Sequence, residues 1–151
     1  METSFNINQT SRTVLRNFLE NHSLEQLNAI PEGFSNNLIW NIGHCIVVQQ
    51  MLVYKLSDLP MMIYDEMADK YKRGSKPEHS VSQIEVNEMK ALLFSTLEKT
   101  KKDFSEKLFQ NYNEFTSMSG FTMKSATDAI EFNNYHEALH LGIMMQIRKF
   151  I

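Results

Sequence analysis

Helix breakers are scarce in this chain, and they sit where long helices would end. Among 151 residues there are five glycines and three prolines, and all but Gly43 and Gly142 fall outside the longest stretches of helically spaced apolar residues. That distribution favours long helices over strands and tight turns. Four are predicted. The first covers roughly residues 8–21, with Val14, Leu15, Phe18 and Leu19 at helical spacing. Ser23-Leu24-Glu25-Gln26 then has the form of a capping box and opens a short turn before Pro31-Glu32-Gly33. The second helix starts near Ser35 or Asn36 and runs to about Leu56, carrying Trp40, His44, Val47, Val48 and Met51 on one side.

The third helix is predicted from the capping box Ser82-Gln83-Ile84-Glu85 to about Phe109, with Ile84, Met89, Leu92, Leu93, Leu97, Phe104 and Leu108 as its buried stripe. The fourth runs from about Ala126 to Phe150, its start marked by Ser125, with Ala129, Phe132, Asn133, His136, His140, Ile143, Met144 and Ile147 sharing a face. Residues 57–80 form a long, charged connection broken by Gly74 and Pro77, with one helical turn expected around Glu66 to Tyr71. A link of that length can cross a whole bundle and so permits parallel neighbours. Residues 111–124 are irregular and compatible with a short hairpin. The expected fold is all-α, a four-helix bundle with a long crossover between its second and third helices, forming one domain over residues 1–151.

Composition narrows the function. A net charge of −3 argues against a nucleic-acid binder that relies on neutralising phosphates. The short basic runs Lys70-Tyr71-Lys72-Arg73 and Lys99-Thr100-Lys101-Lys102 read as solvated helix surface, since Glu98, Asp103 and Glu106 flank the second. Cys45 is the single cysteine, so an intramolecular disulfide and a cysteine-rich zinc knuckle are both excluded, which fits a reducing compartment. The start of the chain lacks a basic segment followed by an apolar run, and the most apolar stretch is broken by Gln49 and Gln50. A cytoplasmic protein with no membrane span is expected.

Chemistry is concentrated near the end of the chain, in Tyr135-His136-Glu137-Ala138-Leu139-His140. Histidines four apart on a helix stack on one face and can grip one divalent ion, and in a zinc protease of this pattern the intervening Glu is the general base. No Asp, Glu, His or Cys follows His140, so further ligands must come from upstream. His44 lies on the apolar side of the second helix, giving three inward histidines on two helices that can face each other. Three protein ligands leave a coordination position for water or substrate, the catalytic rather than the structural pattern. Asn41, one turn before His44, and Asn133, three before His136, can each orient an imidazole by accepting its second N–H. Glu137 points about 100° away from His136, so it is either a base at the pocket rim or a residue on the outside of the helix, with a structural or rim role preferred to a catalytic one. Trp40, Met51, Phe132 and Met144 are candidates for the pocket wall, although such stripes are more often plain core, and Cys45 reads as a buried inert thiol. His22 and His79 fall in connections and are expected to be exposed.

Two segments carry a family resemblance: Trp40-Asn41-Ile42-Gly43-His44 with its Gln-rich continuation, and Asn133-Asn134-Tyr135-His136-Glu137-Ala138-Leu139-His140-Leu141-Gly142. They resemble the signature segments of the DinB-like superfamily, and the likeness extends over nearly the whole chain, through Leu59-Pro60 and the basic stretch from Lys70 to Lys76. The resemblance implies a four-helix bundle whose three-histidine site takes one ligand from the second helix and two from the last, here His44, His136 and His140. It also implies a divalent metal (zinc, nickel or iron), often a homodimer, and chemistry that includes thiol S-transfer with bacillithiol or mycothiol and metal-dependent hydrolysis. Three functions therefore remain open: transfer of a low-molecular-weight thiol to a small electrophile, hydrolysis of a small substrate, or a non-catalytic, metal-stabilised module that senses a ligand or partner. A zinc protease is disfavoured by the missing downstream ligand and the lack of an edge strand for a peptide.

Overall fold

A computed structural model describes the whole chain, Met1–Ile151. It is built from six α-helices and one small hairpin: α1 (Glu2–Asn21), α2 (Leu24–Asn28), α3 (Leu38–Val53), α4 (Asp65–Tyr71), α5 (Gln83–Ser105), β1 (Phe115–Thr116), β2 (Thr122–Met123) and α6 (Ala126–Ile147). The four long helices form the expected bundle. The shorter α2 and α4 are the turn after Ser23 and the helical piece of the crossover, and the irregular stretch before α6 does contain an antiparallel hairpin, pairing Phe115 with Met123 and Thr116 with Thr122.

Local chemistry sets the helix starts. Ser23 and Gln26 make both bonds of a capping box, as do Ser82 and Glu85. Asn37 caps α3 by accepting from the Trp40 N–H at 2.9 Å, which puts the start of that helix at Leu38 rather than at Ser35 or Asn36. At the other end α3 gives way to a single 3-10 turn, Lys55–Ser57, closed by Asp58 in the left-handed conformation. In the same way α5 stops at Ser105, four residues before the expected Phe109, with Lys107 left-handed just beyond it. Helix α1 begins six residues earlier than its apolar set implied, at Glu2, because its inward face continues through Ser4, Phe5, Asn8, Ser11 and Arg12. Most of those residues are polar, so apolar periodicity does not register them.

Helix α3 is the axis of the molecule. Of its 16 residues only Val48 and Met51 are not fully buried, and α1, α2, α4, α5 and α6 all pack on it. A helix buried on every side has no solvent face to contrast with its core face, so its inward face cannot be read from periodicity. Val48 and Met51, expected on one apolar side with Trp40 and His44, are instead its least buried residues. Two other expectations need correction for the opposite reason. Ile84 and Leu108, assigned to the buried stripe of α5, are 80% and 43% exposed; Ile84 lies in the first turn of the helix, beside its capping residues, and Leu108 lies past the helix end. Likewise Ile143 is 38% exposed, one step round α6 from the fully buried Met144.

A main apolar core of Leu15, Phe18, Leu19, Leu38, Ile39, Ile42, Ile46, Leu93, Met144 and Ile147, with further neighbours, fills the centre of the bundle. A smaller one around Phe5, Val53, Tyr54, Leu97, Met123 and Ile130 lies under the hairpin end. No helix is long and apolar enough to cross a membrane.

Candidate metal centre

His44 from α3 and His136 and His140 from α6 meet at one place, with one ring nitrogen from each within 4.8 Å of the others. Their ring centroids are 5.1 Å apart for His44 and His136, 4.7 Å for His44 and His140, and 4.6 Å for His136 and His140. Around a tetrahedral zinc with Zn–N bonds of about 2.05 Å the nitrogens are about 3.3 Å apart, so the three rings must close in by up to about 1.5 Å to take an ion.

Two of the rings are already oriented by hydrogen bonds. His44 Nδ1 lies 2.6 Å from the Tyr71 carbonyl oxygen. A carbonyl only accepts, so Nδ1 carries the proton and the Nε2 lone pair is free. Tyr71 reaches this position because α3 has glycine at position 43: a Cβ there would lie 2.6 to 2.8 Å from the Tyr71 ring. Gly43 therefore lets α4 lie directly on α3 and hand its last carbonyl to the adjacent ligand.

His140 Nδ1 lies 2.7 Å from Asn41 Oδ1. The Asn41 amide has no freedom to flip, since its Nδ2 donates to Asn36 Oδ1 at 2.9 Å and to the Asn37 carbonyl at 2.7 Å. Its oxygen must then face His140, leaving that ring's Nε2 unprotonated too. Asn41 thus orients an imidazole as expected, but one on the opposite helix rather than its own neighbour. His136 Nδ1 is buried with no partner at all.

Electrostatics keep the cluster neutral. Burial, then the neighbouring His140, His44 and Arg12, push the His136 pKa down to about 3. Burial and His44 bring His140 to about 4, and burial lowers His44, against an opposing contribution from its bond to Tyr71. Neutral imidazoles are the ligand form. Two preset rings, a third with an orphaned buried nitrogen, and a mutually neutral trio make these residues a fit for a divalent cation.

The remaining candidate residues are placed differently. Trp40 stacks on His44 with ring centroids 4.7 Å apart and planes 14° apart, and its Nε1 donates to Ser75 Oγ at 3.1 Å. It covers one face of the His44 ring. Met144 is fully enclosed in the main core, Met51 is half-buried against that core, and Phe132 stacks on Phe121, 5.6 Å away, beside the hairpin. These three follow the core alternative weighed above. A cleft of about 340 Å³ borders Trp40, Tyr71, Ser75, Lys76 and His79 but none of the three clustered histidines.

Glu137 stands neither at the rim nor on the outside of the helix. It is fully buried, accepting from Arg12 Nε at 2.9 Å and from Asn133 Nδ2 at 2.9 Å. Asn133 accordingly supports a carboxylate and not an imidazole, because one helical turn sets positions 133 and 137 over each other on the side of α6 that faces α1. Cys45 is buried, and its thiol is pushed well up by burial and then by Glu137, with Arg12 opposing, so it stays protonated. His79 is exposed. His22 is half-buried rather than exposed, stacked on Phe18 with its Nδ1 2.9 Å from the Phe18 carbonyl, which keeps it away from the cluster.

Sequence reasoning missed Tyr71 and Arg12. Tyr71 acts through a backbone carbonyl, which no side-chain pattern announces. Arg12 could have been found: it lies three residues before Leu15 and seven before Leu19, on the buried side of α1, where a lone cation demands a partner.

Fold and site together define a helical bundle with a three-histidine cluster suited to a metal ion. The chain belongs to the DinB superfamily, whose sequence profile matches residues 8–144 and so includes the whole cluster. No curated protein matches it.

Proposed function

We propose that the protein is a metal-dependent enzyme acting on a small molecule, with the ion held by His44, His136 and His140. The observation that carries this is the presetting of His44 by the Tyr71 carbonyl and of His140 by Asn41, each of which leaves Nε2 free toward the cluster. Membership of a metal-binding superfamily supports it further. His44, His136 and His140 would hold a divalent ion such as zinc, nickel or iron, which would lower the pKa of a coordinated water or thiol and so supply a nucleophile near neutral pH. The chain's own residues hold and orient the imidazoles, while Trp40 covers one face of His44 and keeps water from it.

Transfer of a low-molecular-weight thiol, such as bacillithiol, to a small electrophile is preferred to hydrolysis, on the strength of the family relation alone. No buried general base is needed for it. Glu137, paired with Arg12, has a structural part in this reading and not a proton-transfer one. The non-catalytic alternative, a sensing module, requires protein donors to close the shell, and Glu137 is turned away from the cluster. A thiol-conjugation assay with bacillithiol and glutathione, run beside an ester and amide hydrolysis panel, tests the preference. Activity in the hydrolysis panel with none toward thiols would overturn it.

The proposal includes a homodimer. Tyr135, Leu139 and Ile143 are 50%, 49% and 38% exposed at four-residue spacing along α6, an apolar stripe that a second copy would cover.

A further inference from the structure

The middle of α6, where His136 and His140 project, is held by an unusual kind of contact. The helix has buried apolar anchors at both ends, Ala126, Ala129 and Ile130 at the start and Met144 and Ile147 at the finish. Between Ile130 and Met144 its fully buried residues are Asn133, Asn134 and Glu137, all polar. Asn134 and Glu137 bond directly to α1, and Asn133 reaches it through Glu137. Asn134 Nδ2 donates to the Ser4 carbonyl at 3.0 Å, the Ser4 hydroxyl bonds Glu131, and Glu137 meets Arg12, with Asn133 donating to the same carboxylate oxygen.

The Arg12–Glu137 pair at the centre of this seam is wholly enclosed, with both side chains at 0% exposure and Arg12 Nη2 2.7 Å from Glu137 Oε1. Glu137 Oε2 and Arg12 Nη1 have no protein partner. A buried pair that is only partly satisfied contributes little net stability over apolar side chains of the same size. What directional contacts do provide is register, because apolar packing tolerates small rotations that a hydrogen-bonded pair does not.

Register matters here by a simple lever. Side-chain tips stand about 6 Å from a helix axis, so a turn of about 10° moves them by about 1 Å. Metal–ligand distances tolerate about 0.2 Å.

We propose that Arg12 and Glu137 are positioning residues: the pair fixes the rotation of α6 against α1 and thereby aims His136 and His140 at His44. The inference rests on the metal reading for its purpose but not for its test, since the aim of His140 is visible without metal in its Nδ1–H bond to Asn41. Breaking the pair on one side strands a buried charge and destabilises the fold, which says nothing about aim. The informative variant replaces both residues, Arg12→Met with Glu137→Met.

Two readouts are needed. In metal-free protein, proton NMR of the imidazole N–H region should show the hydrogen-bonded His140 Nδ1–H in wild type and its loss or accelerated exchange in the double variant, at an unchanged or raised melting temperature. In a competition titration with a chromophoric chelator, zinc affinity should fall tenfold or more. A double variant that keeps the protected His140 signal overturns the positioning claim whether or not the protein binds zinc. If wild type binds no zinc, the metal reading fails separately. Should the double variant not fold, Arg12→Lys retains the charge but loses the planar fork, and the same proton should exchange faster in it; wild-type protection there would equally overturn the claim.

Discussion

His44 and His140 are each fixed by an oxygen that can only accept, Tyr71 O and Asn41 Oδ1. This presetting is what separates a metal centre from three histidines that happen to share a core. It also predicts a pH response in metal-free protein. All three histidines have pKa values below the ordinary 6.5, His136 near 3 and His140 near 4. Between those values and 6.5 the unfolded chain takes up protons that the folded chain refuses. Stability is therefore fully present above about pH 6.5 and lost as the pH falls toward 4. The melting temperature of metal-stripped protein should hold from pH 7.5 to about 6.5 and then drop steadily to pH 5, before most carboxylates titrate. A flat profile over that range would mean that the cluster is not desolvated as described.

At the scale of elements, Gly43 is the residue on which the approach of α4 to α3 depends. Replacing it with alanine places a Cβ at 2.6 to 2.8 Å from the Tyr71 ring, so α4 must back away and carry its carbonyl with it. Overpacking of this kind costs about 1 to 3 kcal/mol. Gly43→Ala should therefore lower thermal stability and, through His44, weaken metal affinity several-fold in a chelator competition titration; normal affinity would detach Tyr71 from the site. The elements themselves were largely legible in the sequence. Capping boxes at Ser23 and Ser82 and the i, i+4 histidines are local patterns, and local patterns survive tertiary context. What escaped was non-local. The start of α1 is held by polar residues that meet α6 more than 120 positions away, as Ser4 and Arg12 do. The inward side of α3 could not be told because every side is inward. Glu137 and Asn133 neighbour the histidines along the chain, yet the direction they face, which the sequence does not announce, is set by Arg12 on another helix.

For the whole molecule, a bound ion that joins α3 to α6 stabilises only the folded chain, so mass action should raise the melting temperature as metal is added. Chelation should reverse the rise; no change on chelation would mean that the cluster is weak or empty. The apolar stripe of Tyr135, Leu139 and Ile143 belongs to this scale as well, since about half of it stays exposed in the single chain. Sedimentation should give twice the mass of the 17.6 kDa chain, and Leu139→Glu should return the monomer. A monomeric wild type at tens of micromolar would remove the dimer while leaving the metal site untouched. The claim on which everything functional depends is that helices α3 and α6 jointly hold an ion. Elemental analysis of protein purified without an affinity tag, comparing wild type with His44→Ala, His136→Ala, His140→Ala and the distant controls His22→Ala and His79→Ala, tests it most directly. About one divalent ion per chain is expected in wild type and in both controls, with little in the three cluster variants. Equal metal in wild type and His44→Ala, or none in any of them, would contradict it.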